Sequence, residues 1–239
     1  MTSVPALHSP ATTAVRTPPL VDWLLVVALA AVGGALTRAL LYTPADALLG
    51  AVQRIFYIHV PSAILGMYVA CSVMAICGGL YLWVKDARLD RIAESAAEVG
   101  FVFLTVVLVT GAIWGKASWG TAWAWEPRLT SALFLWFVVL SYLVLRDALE
   151  NPETKARLSA VLGVLALLLV PFIHMTVYLF RGLHPEPIAL KPSKPSMSPE
   201  MLSTFLLANL AFLLLFIALV RVRYRWAAAR DAQRALEQG

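Results

Sequence analysis

Apolar residues in this chain fall into six long runs separated by short polar stretches. The runs cover about Leu20 to Leu41, Pro61 to Val84, Ala96 to Trp114, Leu129 to Leu145, Leu158 to Phe180 and Met201 to Val220. Roughly 20 apolar residues in a helix cross the ~30 Å hydrocarbon core of a bilayer. Each run is continuous, whereas barrel strands are about 10 residues long with alternating polarity. Helices also satisfy their own backbone hydrogen bonds in lipid. The pattern therefore predicts an all-α integral membrane bundle of six transmembrane helices. Residues 1–19 form a Pro/Thr/Ala-rich disordered tail, 20–221 the membrane domain, and 222–239 a basic cytoplasmic tail. Ala28-Leu29-Ala30 resembles a signal-peptidase site, but the apolar run continues past it, so the first span is expected to stay uncleaved.

Composition agrees with this reading. Hydrophobic residues make up 60% of the 239 and charged residues only 14%, far from a soluble domain. The net charge of +5 does not point to nucleic acid, because the basic residues lie between or beyond the runs and form no basic groove. Instead they give an orientation. With six spans, twelve of the 19 Lys and Arg fall on one side and seven on the other. The richer side, which holds both termini, is expected to be cytoplasmic. Cys71 and Cys77 both lie inside one run and form no CxxC pair, so they read as small buried hydrophobes.

The opposite, outer face carries the unusual residues. Trp114, Trp119, Trp123 and Trp125 fall within twelve residues, half of the eight tryptophans in the chain. A helical loop would put Trp119, Trp123 and Glu126 on one face; an extended one would align Trp119, Trp123 and Trp125. Either arrangement concentrates flat apolar rings in a loop at 115–128, a platform for a flat apolar ligand. An interfacial aromatic belt would distribute its tryptophans around the bundle instead. His59 precedes the second span and His184 follows the fifth, both on this outer side. Two imidazoles beside such a platform suggest axial ligands for haem iron. Arg128, Arg54, Lys116 or Arg181 are candidates to pair with its propionates. Zinc is less apt, since no third or fourth ligand is evident.

Trp119-Gly120-Thr121-Ala122-Trp123-Ala124-Trp125-Glu126 resembles the WGxxWxWD signature of haem-handling proteins of cytochrome c biogenesis. The flanking Tyr57-Ile58-His59-Val60-Pro61-Ser62-Ala63 and Arg128-Leu129-Thr130-Ser131 make the chain similar to the CcmC family of bacterial system I cytochrome c maturation. The resemblance implies a protein of the bacterial inner membrane that binds haem b, iron protoporphyrin IX, at its periplasmic face. It implies His59 and His184 as axial ligands, with Trp114, Trp119, Trp123, Trp125, Glu126 and Arg128 around the cofactor. It implies presentation of haem to the chaperone CcmE for covalent attachment, and association with CcmD and the ABC-type subunits CcmA and CcmB. Glu126 departs from the motif's Asp by one methylene.

Other functions compete with this one. A subunit of an ABC-type exporter moving haem across the membrane would need polar or broken helices at mid-membrane. Pro171, His174 and Gly111 are the hints of that, and there is no GxxxxGK[ST] for nucleotide. A scaffold would use the aromatic loop only to dock a protein partner. No Ser/His/Asp, Cys/His or paired-carboxylate arrangement offers separate catalysis; whether lyase-like attachment makes the protein an enzyme stays open at this level.

Overall fold

The computed structural model describes residues 22–186, 188, 191 and 193–238. The proline-rich segment 1–19 lies outside them. Six helices are long and apolar enough to span a membrane: α1 Trp23–Tyr42, α2 Ala51–Val84, α3 Ala87–Trp119, α4 Pro127–Ala148, α5 Pro152–Leu179 and α6 Pro199–Glu237. The chain is thus a multi-pass membrane protein.

Local chemistry sets the helix starts. Asp22 accepts from the amides of Leu24 and Leu25 and opens α1; Asp86 accepts from Arg88 and opens α3. Asn151 accepts from Thr154 before α5. Such caps satisfy amides that a first turn leaves without partners. Pro127 and Pro152 occupy first-turn positions, where a missing N–H costs nothing. Inside α2, Pro61 is followed by a wider π-helical winding over Ile64–Ala70, as expected where a proline removes a ladder donor.

Several helices run past the apolar runs. α3 starts at Ala87, not near Ala96, because its early charges have partners. Arg146 of α4, almost wholly buried, grips Asp90 at 2.7 and 2.8 Å and reaches Glu94 at 3.3 Å. Arg230 of α6 closes on Glu94 at 3.0 and 2.9 Å, and Arg223 pairs with Glu98. Residues 222–238, expected as an appended tail, continue α6 and supply these partners. At 39 residues α6 is about 58 Å long, well beyond the ~30 Å of hydrocarbon. The other extended end matters more: α3 continues to Trp119 and α4 begins at Pro127, so half of the expected loop at 115–128 is helix.

Three packed groups make the core among the described residues. Met74, Leu104, Leu135, Val139, Tyr142 and Ile173 join α2, α3, α4 and α5. Leu65, Val99, Phe103, Phe212 and Phe216 join α2, α3 and α6. α1 is peripheral; it rests on α6 through Ala35 and Ala39 against Ala208 and Ala211. Small residues of this kind let membrane helices approach closely. The approach is close where Gly163 of α5 faces the backbone of α2: a Cβ there would lie 3.1 Å from the Met74 carbonyl oxygen. Six alternating helices place the links 43–50, 120–126 and 180–186 at one end of the bundle, and the Arg146 network at the other.

Candidate functional site

The site grows out of α3 and the turn that ends it. Gly120 terminates the helix in the left-handed region at φ 78°, a conformation that glycine adopts at no steric cost. Lys116 donates its ammonium to the Gly120 carbonyl at 2.9 Å. Thr121 then bridges the turn by donating to the Trp123 carbonyl at 2.8 Å. The link is neither a helix nor a simple strand, and the four indoles divide among three places. Trp114, on α3, stands edge-on to His59 with ring centroids 5.6 Å apart. Trp119, the last residue of α3, stands against His184 at 6.3 Å. Trp123 and Trp125 contact each other at 5.5 Å, and Trp125 is 79% exposed.

His59 and His184 come from segments 125 positions apart and meet α3 at the same end of the bundle. His59, on α2, contacts Thr110 through Nδ1 at 3.0 Å. His184, on the link after α5, donates from Nδ1 to the Pro185 carbonyl at 2.9 Å. A carbonyl only accepts, so Nδ1 of His184 carries the proton and Nε2 keeps its lone pair. Burial first, then the Arg128 charge and the neighbouring His59, push the His184 pKa down from 6.5 to about 3. His184 is therefore neutral, as a metal-ligating imidazole must be.

Glu126 supplies the strap that places His184. The carboxylate is buried and its Oε2 accepts the amides of Leu183 at 2.6 Å and His184 at 3.3 Å. Gly182 makes room for it: a Cβ there would overlap that same carboxylate oxygen. The last position of the tryptophan motif thus acts on the loop 57 residues away, not as an isolated charge. Arg128, in the first turn of α4, donates only a long hydrogen bond to the Ile173 carbonyl, 3.4 Å, among the described residues. It shares a small cavity with Glu126, Gly182 and His184. Deeper in the bundle, His174 is hydrogen-bonded through Nδ1 to the Tyr68 hydroxyl at 2.7 Å.

The donor set suits one class of metal. Among the described residues no group of three or more His, Cys, Asp or Glu could hold an ion. Two imidazoles fit an iron that brings its own equatorial nitrogens, as porphyrin does. Trp123 Nε1 is buried without an acceptor among the described residues, and Glu126 Oε1 without a donor. Thr110, Gly111 and Gly182 were not distinguished as site residues by sequence reasoning. Their only signal was position: Thr110 and Gly111 lie one helical turn before Trp114, and Gly182 two residues before His184.

A family model for "Heme exporter protein C" matches residues 4–238. Proteins of that description are similar along most of their lengths. The one from Haemophilus influenzae is 37% identical over 219 residues, covering 90% of this chain and 87% of its own length. The one from Rhodobacter capsulatus is 31% identical over 221 residues, covering 92% and 90%. The one from Escherichia coli K12 is 34% identical over 187 residues, covering 77% and 74%.

Proposed function

The chain belongs to the CcmC family of haem-handling proteins for cytochrome c maturation, and on that premise we propose that it binds haem b at the tryptophan end of its bundle and presents it to the chaperone CcmE. The observation that carries this reading is the pairing of two separately held imidazoles at that end, one against Trp114 and one against Trp119. His59 and His184 are the axial ligands. Trp114 and Trp119 hold those rings and border the porphyrin, while Trp123 and the exposed Trp125 offer an apolar edge to the cofactor and to the chaperone. Glu126 keeps the His184 strap in place. Arg128 is the candidate for a propionate, because a guanidinium fork suits a carboxylate.

Haem brings the reactive vinyl group; the chain supplies binding and orientation. This makes the activity lyase-like without a separate catalytic constellation. The basic residues argue for both termini in the cytoplasm and the haem end in the periplasm of a bacterial inner membrane. The arrangement leaves 20–221 as the membrane domain and 222–239 as its cytoplasmic extension. CcmD and the ABC-type pair CcmA and CcmB are the further partners. The alternative, an exporter subunit that moves haem across the bilayer, draws little from His174, whose Nδ1 is occupied by Tyr68.

The test is complementation. In cells lacking their own CcmC, this chain should restore covalent haem on CcmE, seen by haem staining of the purified chaperone. Normal staining with the His59→Ala and His184→Ala double variant would refute the assignment.

A further inference from the structure

We propose that Thr110 is a positioning residue that locks His59 in its Nδ1–H tautomer, so that Nε2 is the free lone pair offered to iron. The inference deepens the haem reading and rests on it for the identity of the metal. Thr110 Oγ1 lies 2.6 Å from the Val106 carbonyl oxygen and 3.0 Å from His59 Nδ1. A hydroxyl has one hydrogen. Two oxygens at 2.6 Å repel unless that hydrogen lies between them, so it is committed to Val106. What Thr110 turns toward His59 is a lone pair, and Nδ1 must be the donor. A neutral imidazole protonated at Nδ1 has its lone pair on Nε2.

Two further contacts hold the ring in this setting. A Cβ on Gly111 would come within 3.2 Å of His59 Cε1, so the ring lies directly on the α3 backbone. Trp114 meets it edge-on. Thr110, Gly111 and Trp114 therefore form one cradle within a single turn of α3. A threonine bonding back to the carbonyl four residues earlier is common in helices and by itself only satisfies the hydroxyl. Here the same oxygen also accepts from a ring nitrogen. The Pro185 carbonyl does the equivalent for His184, so each imidazole is given its tautomer by a different acceptor. Outer partners of this kind orient ligating histidines and raise their basicity.

The test reads the tautomer directly. Histidine is labelled with 15N in the detergent-purified, haem-free protein, and ring nitrogen shifts are recorded by long-range proton correlation; the His59→Ala variant assigns the signal. The wild type should show His59 protonated at Nδ1. Thr110→Val keeps the shape but removes the hydroxyl acceptor; with only the Val107 carbonyl left beside the ring, the ring should shift toward the Nε2–H form. Added haemin should then bind about 10-fold or more weakly. Thr110→Ser should restore both. An Nε2–H ring in the wild type, or a tautomer unchanged in Thr110→Val, overturns the role of Thr110 even if the protein binds haem. A tautomer that switches as described, in a protein that takes up no haemin, supports the lock and overturns the haem reading instead.

Discussion

Gly182→Ala should be among the most damaging single-methyl substitutions in the outer links, and its cost should vanish when Glu126 is truncated. Gly182 is not in the left-handed region, so alanine fits the backbone. The obstacle is the Glu126 carboxylate oxygen that a new Cβ would overlap. Displacing that oxygen breaks the bonds from Leu183 at 2.6 Å and His184 at 3.3 Å. Hydrogen bonds to a charged group contribute about 1.5–3 kcal/mol each. With one bond long and Leu183 exposed, the pair is worth about 2–3 kcal/mol, or roughly 30–150-fold in affinity for a ligand that needs His184 in place. Glu126→Ala should cost the same. In the double variant the nearest remaining Glu126 atom is Cβ, 3.8 Å away, an ordinary contact. The double variant should then be no worse than either single one, giving a coupling energy of about 2–3 kcal/mol. Haemin titration followed by absorbance, with all four proteins in one detergent, measures the cycle. Additive losses, or a harmless Gly182→Ala, would refute the strap.

Three other outcomes follow from the structure. The His184 pKa lies below its unfolded value, so the folded form binds fewer protons between the two; its stabilising share is complete above about pH 6.5 and declines as pH falls toward about 3. An NMR titration of the His184 ring should give a midpoint far below 6.5, and a midpoint near 6.5 would contradict the packing around it. Arg146→Ala removes the partner of Asp90 and leaves Glu94 to Arg230 alone; it should cost about 3 kcal/mol, seen as a lower thermal midpoint in detergent; an unchanged midpoint would mean the network is solvated. Trp119→Ala with Trp123→Ala should weaken haem retention while leaving the helical circular dichroism intact, and normal cytochrome c assembly in that variant would count against the indoles.

The six membrane helices were legible because lipid selects long apolar runs, and all six are present. Their ends were not. Arg88, Asp90, Arg91 and Glu94 made residues 87–95 look like a loop, yet paired charges at a helix end stay helical when Arg146 and Arg230 reach them. The same limit applies at the other end of α3, where Gly120, not the first polar residue after the apolar run, ends the helix. In the candidate site, the histidines and tryptophans stood out by residue type and spacing. The contacts that place them did not. Glu126 reads as a charge closing a motif until the chain folds and its oxygen meets the amides of residues 183 and 184. Thr110 is one hydroxyl in an apolar helix, and only the arrival of His59 from α2 gives it a second partner.

The central claim is that two imidazoles from separate segments clasp one haem. Visible and electron paramagnetic resonance spectra of the detergent-purified protein, beside His59→Ala and His184→Ala, test it most directly. Low-spin haem in the wild type, converted to high-spin or lost in each variant, is the expected result. Low-spin spectra unchanged in either variant would contradict bis-histidine ligation by these residues, and a wild type that stays colourless with added haemin would contradict haem binding itself.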